Sequence, residues 1–149
     1  MASPIVSRLN SMSPGHKRRG APACSVIDPR SAMKILFILN DAPYGSEKTY
    51  NALRLAMKLQ QEHADAELRM FLMADAVTSA LPNQTTPEGY YNIERMLRGV
   101  ISKGAEVKIC GTCAEARGLE KPPLIDGVAI STMSQLAQWV VEADKVLTH

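Results

Sequence analysis

From Met33 onward, short apolar runs alternate with amphipathic stretches, the pattern of strand and helix units packed around a mostly parallel sheet. Lys34–Leu39 is a compact apolar run that stops at Asn40-Asp41-Ala42-Pro43-Tyr44-Gly45-Ser46, which predicts a buried strand with a turn-rich exit. Ser46 is placed to cap the next helix, where Ala52, Leu55, Ala56 and Leu59 recur at helical spacing as one buried stripe. That helix fades near His63, a second strand follows at about 67–73, and Asp75 is positioned to cap a short helical turn through Ala80. Pro82, Pro87 and Gly89 then forbid a regular element over 81–91, so an exposed loop is expected there. Ile93, Met96, Leu97, Val100 and Ile101 form a helical stripe closed by Gly104. A third strand is expected over about 106–110, then the Cys110-Gly111-Thr112-Cys113 turn, a short helix near 114–117 and a stop at Gly118. After a short strand near 128–130, Met133, Leu136, Ala137, Val140 and Val141 predict a last helix with that stripe buried, and 145–148 a final strand. Trp139 lies beside this stripe, where it packs either on a neighbouring subunit or on the edge of its own core. The expected fold class is α/β, five strands with helices between them in a mostly parallel sheet.

Composition places the chain among globular proteins. Its 149 residues suit one domain, with 46% hydrophobic and 21% charged side chains, and no apolar run approaches the roughly 18 residues of a membrane helix. The net charge of +2 is unevenly distributed. Residues 1–32 hold five basic groups and one acid, while 33–149 hold 12 basic and 14 acidic groups, a balance of −2. The basic average belongs to the N-terminal segment and gives no support for a nucleic-acid-binding domain. Rich in proline and serine and without an apolar period, 1–32 reads as a disordered extension or as sequence upstream of a natural start at Met33. Its arginines and serines give a faint likeness to a transit peptide, but a cytoplasmic location is the expectation.

The chemistry concentrates on Cys110 and Cys113; Cys24 lies in the extension. Cys110 ends a strand, Cys113 opens a helix and Arg117 follows one turn later, so both sulfurs sit on the carboxyl edge of the sheet, where parallel folds place reactive groups. Helix amides and a cation lower a thiol pKa. Zinc is not expected, because His16, His63 and His149 offer no ligand-like spacing. A dithiol redox pair fits the spacing, although no aromatic residue precedes Cys110 and no counterpart of a cis-proline loop is evident. Sulfur transfer needs one nucleophilic thiolate, and the spacing alone does not choose between these chemistries. A buried structural pair is the third reading. No cofactor is expected; the 40–46 turn lacks the Ser and Thr donors of a flavin phosphate site. Asp41, Glu47 and Asp75 near strand ends are more readily helix caps than a catalytic carboxylate cluster. Tyr90 and Tyr91 flank the proline loop, which is a candidate lid over the cysteine edge.

Several ordered blocks together resemble the DsrE/DsrF-like family: Asn40 through Glu47, Leu72 through Val77, Lys108 through Cys113 with Arg117-Gly118, Pro123 through Val128, and Leu136 through Leu147. The resemblance covers nearly all of 33–149 and implies a three-layer α/β fold of the DsrEFH type around a five-stranded, mostly parallel sheet, assembly as a homotrimer or homohexamer, and a connection with intracellular sulfur relay. In family members that carry a persulfide, the working cysteine ends a strand and an Arg-Gly pair follows about seven residues later, which Cys110 matches through Arg117-Gly118. The expected function is therefore a persulfide carrier working between sulfur donor and acceptor proteins. Cys110 would be the carrier, Cys113 a discharging thiol, and Arg117 an aid to the thiolate. The alternatives are a non-catalytic ring protein that binds a partner or small ligand and a dithiol oxidoreductase. No direct contact with nucleic acid or membrane is expected.

Overall fold

In the computed structural model, which describes residues 32–119, 121 and 123–149, five strands form one sheet. The expected N-terminal extension lies, except for Ala32, outside the described residues. The elements run β1 (Lys34–Leu39), α1 (Lys48–Glu62), β2 (Glu67–Leu72), a 3-10 turn (Ala74–Ala80), α2 (Ile93–Ser102), β3 (Glu106–Cys110), α3 (Gly111–Glu115), β4 (Val128–Ser131), α4 (Met133–Glu142) and β5 (Lys145–Thr148). The sheet order is β4-β3-β2-β1-β5, and every pair is parallel. The expected α/β class holds, with a wholly parallel sheet.

Strand order decides which helices cover which face. From β1 to β4 each new strand is added on the same side, so right-handed crossovers put α1 and α2 on one face, packed on each other. The step from β4 back to β5 crosses the sheet in the other direction and carries α4 to the opposite face, against β1. The α1/α2 face is almost wholly apolar, with Phe37, Leu39, Leu68, Met70, Leu72, Val107 and Ile109 buried. Under α4 the sheet is partly polar: Arg69 bonds Glu67 at 2.6 Å and Glu142 at 2.6 Å, and Lys108 bonds Glu106 at 2.9 Å.

Trp139 joins the two chemistries. The ring is 3% exposed and meets Phe71 edge-on at 6.1 Å, while the Arg69 guanidinium and the Lys108 ammonium lie 5.4 and 4.5 Å from its centre. It thus belongs to its own subunit's core, the second of the two placements expected for it.

Three sequence expectations are corrected. In α4 the inward residues are Leu136 and Trp139, whereas Met133, Ala137, Val140 and Val141 face outward, Val141 at 87% exposure. The apolar period was real, but most of it lies on the side away from the sheet. In α1 the buried positions are Thr49, Ala52, Leu53 and Ala56, with Leu55 turned outward. Ser46 does not cap that helix: Glu47 occupies the cap position at φ 58, and the Ser46 hydroxyl donates to Asp41 at 2.7 Å. By contrast α2 follows its predicted stripe, with Asn92 capping through the Arg95 amide and Gly104 left-handed at φ 93.

Truncation of Trp139 to alanine removes the ring that fills the space between α4 and β2. The Trp139→Ala variant should lose about 3–5 kcal/mol of stability in urea unfolding followed by far-UV circular dichroism. A loss under ~1 kcal/mol would mean that α4 does not rest on this ring.

Candidate functional site

Parallel strands deliver their following loops to one edge, and the Cys110 backbone marks where β3 leaves the sheet there. The chain passes directly into α3, which starts at Gly111, earlier than expected, so Cys110 takes the cap position and Cys113 lies inside the first turn. Gly111 has a steric reason: a Cβ there would stand 3.1 Å from the Ser131 carbonyl oxygen and 3.3 Å from Ile130 Cγ2. The glycine between the cysteines lets α3 sit against the end of β4. Gly118 at φ 67 ends the segment as predicted.

Both cysteines are free thiols, Cys110 buried at 4% exposure and Cys113 half-buried. Burial pushes the Cys110 thiol pKa up, and its hydrogen bond with the Cys113 side chain pushes it further in the same direction. The Cys113 and Thr112 amides pull the other way without reversing the shift. Cys110 is therefore the shielded sulfur of the pair and Cys113 the more accessible one. Among the described residues, no three His, Cys, Asp or Glu side chains converge as metal ligands.

Arg117 is committed away from the sulfurs. Its Nε and Nη2 both donate to Asp75 Oδ1, at 3.0 and 2.7 Å, and Nη1 donates to the Cys113 carbonyl at 3.1 Å. The guanidinium is paired with a carboxylate and clamps α3 to the 3-10 turn that packs against it. This corrects the electrostatic role expected of Arg117: burial and Cys113 govern the Cys110 thiol, and Arg117 positions the helix that carries Cys113. Asp75, expected as a cap, is the missed member of the site. A bond spanning 42 residues leaves no local sequence signal, since Asp75 before a helical turn looks like any cap.

The other candidates separate. Asp41 accepts from Ser46 and pairs with Lys48 at 3.1 Å, contacts that hold its carboxyl below the usual range. Asp41 and Asp75 thus serve different partners and form no catalytic cluster. Tyr91 stacks on Tyr50 of α1 at 4.1 Å and on Tyr90 at 4.4 Å, so these tyrosines dock the loop onto the start of α1. Gln84 pins the same loop, accepting from the Tyr44 hydroxyl at 2.7 Å and donating to the Ser79 and Leu81 carbonyls.

The architecture defines a parallel α/β protein with a strand-end dithiol on the carboxyl edge of its sheet. The chain belongs to the DsrE/DsrF-like family, whose model matches residues 33–149. It is similar to protein YchN of Escherichia coli K12, with 50% identity over 115 residues that cover 77% of this chain and 97% of that one. An uncharacterized protein of Methanopyrus kandleri is 39% identical over 119 residues, covering 80% of this chain and 96% of its own. The crystal structure of the E. coli ychN protein superposes with a TM-score of 0.76, covering 78% of this chain and 99% of that one. A protein of unknown function from Methanobacterium thermoautotrophicum, 12% identical and covering 78% of this chain and 99% of its own, shares the fold at a TM-score of 0.59.

Desolvation sets an order of reactivity. Iodoacetamide should label Cys113 before Cys110 at neutral pH, with Cys110 labelling rising only as pH passes the ordinary thiol range, as read by peptide mass mapping. Faster labelling of Cys110 at neutral pH would contradict the shielding.

Proposed function

We propose that the protein carries sulfane sulfur as a persulfide on Cys110. The observation that supports this most directly is a buried thiol at the end of β3 followed three residues later, in the first turn of α3, by a more accessible one, in a chain of this family. In loading, the Cys110 thiolate attacks the outer sulfur of a donor persulfide; the donor thiolate leaves and Cys110 gains one sulfur atom. In forward transfer, an acceptor thiolate attacks that outer sulfur and Cys110 departs as thiolate. In discharge, the Cys113 thiolate attacks the Cys110 sulfur, hydrosulfide leaves, and a Cys110–Cys113 disulfide remains for two electrons from a cellular thiol to reset. Burial opposes the resting thiolate, so loading requires the donor to reach a thiol that is only 4% exposed. The clamp from Asp75 through Arg117 to the Cys113 carbonyl holds the second thiol in reach. Donor and acceptor proteins and a cytosolic setting, where thiols stay reduced, belong to the same proposal.

Assembly as a homotrimer or homohexamer is part of this reading. It is supported by the outward stripe of α4, where Met133 is 54% and Val141 87% exposed, an apolar face of the kind subunit contacts cover. Val141→Glu should shift the particle toward monomer in size-exclusion chromatography with light scattering, without changing the circular dichroism of the chain. An unchanged mass would remove α4 from the interface.

Intact-mass analysis of the reduced protein after incubation with a cysteine desulfurase and cysteine tests the carrier itself. A reducible gain of one sulfur atom is expected, lost in Cys110→Ser and kept in Cys113→Ser. Loading that persists on Cys113 alone would reassign the carrier. Absence of loading on either cysteine would favour a ring protein that binds through its surface.

A further inference from the structure

A second site lies on the α1/α2 face. An open groove of about 860 Å³ runs between the outer sides of the two helices, walled by α1 from Tyr50 to Gln61, a length of about 16 Å. Its two walls carry four cations, Arg54 and Lys58 from α1 with Arg95 and Lys103 from and just beyond α2, and among the described residues no acidic side chain lines it. Lys58 shares its charge with Glu62 at 2.8 Å; Arg95 and Lys103 have no ion-pair partner among the described residues. At the end nearest the carboxyl edge of the sheet stands the aromatic stack of Tyr50, Tyr91 and Tyr90, the last 50% exposed, with the Arg54 guanidinium 5.3 Å from the Tyr50 ring centre. Leu55, turned away from the core, lies within the groove.

We propose that this groove binds a short stretch of single-stranded nucleic acid, its phosphates along the four cations and an unstacked base on Tyr90. Three features select that occupant. Cations on both walls and along the length suit a repeating anion better than a single phosphate, which would need them gathered at one point. Stacked tyrosines with one ring half-exposed offer a sequence-tolerant platform for a base, with a stacked arginine beside it. The chain's own N-terminal segment, with five basic groups and one acid, has the wrong sign to fill the groove. The −2 balance of residues 33–149 conceals the site because it averages over a patch that is locally basic.

The test is fluorescence anisotropy of the full chain with a fluorescein-labelled twelve-residue oligouridylate at low salt. Binding should weaken about tenfold or more in Arg95→Glu/Lys103→Glu, with a shallower salt dependence, and about fivefold or more in Tyr90→Ala. Both substitutions fall on exposed positions, and circular dichroism verifies the fold. A duplex of the same length should bind less tightly, because paired bases cannot reach the tyrosines. Binding unaffected by these substitutions would place it on the basic N-terminal segment and overturn the proposal. Equal competition by uridine monophosphate would reduce the site to a mononucleotide, and equal competition by polyglutamate with no effect of Tyr90→Ala would make it an acidic-peptide surface. Absence of any binding ends the proposal.

Discussion

A wholly parallel sheet has to be covered on both faces, and among the described residues a single ten-residue helix covers the second. That constraint explains α4 and what lies beneath it. The first face receives α1 and α2 and is apolar throughout. The second receives α4, and its margins carry Glu67, Arg69, Glu106 and Lys108 in ion pairs. Arg69 and Lys108 keep their charged ends paired while their stems and cationic faces lie against Trp139, so one indole seals a face that is only part apolar. With Leu136 and Trp139 turned inward, the rest of the apolar side of α4 is left exposed among the described residues.

The same topology fixes where reactive groups stand. Loops after β1, β2 and β3 all open on one edge, and the last residue of β3 is Cys110. Placing a thiol at the end of a buried strand protects it but raises its pKa, which is the wrong direction for a resting nucleophile. Cys113, in the first turn of α3, is the more accessible of the two sulfurs. Arg117 adds order rather than charge: neutralised by Asp75, it ties the carbonyl of Cys113 to the segment that follows β2.

The legibility of this fold in the sequence follows from how local each determinant is. β1, β3 and β5 appear at their expected bounds because compact runs between turn residues leave few alternatives. The stripe of α2 is correct because Ile93, Leu97 and Val100 belong to the core and Met96 and Ile101 pack against it. The α4 stripe failed for a reason that periodicity cannot supply: it identifies an apolar side of a helix without saying whether that side meets its own sheet. Ser46 and Asp75 failed as caps because each hydroxyl or carboxylate found a partner of greater strength, Asp41 in one case and Arg117 in the other. In the site, the cysteine positions were readable from their spacing, whereas the Asp75–Arg117 clamp depends on a contact between loops that only the folded chain brings together.

Charge behaves like the α4 stripe, since a total over the chain says nothing about where its parts converge. The four cations of the α1–α2 groove come from positions 54, 58, 95 and 103, and folding two parallel helices side by side aligns them, with Lys58 alone of the four paired to an acid among the described residues. Glu94 is the clearest case: on the same helix as Arg95, it turns to accept the Gln84 amide at 2.8 Å and to pair with Arg98. Those contacts hold its carboxyl below the ordinary range and keep its charge off the groove. Because both helices begin at the carboxyl edge, the tyrosine end of the groove and the Cys110–Cys113 pair share one rim of the sheet, placed there by the same right-handed crossovers that set the fold.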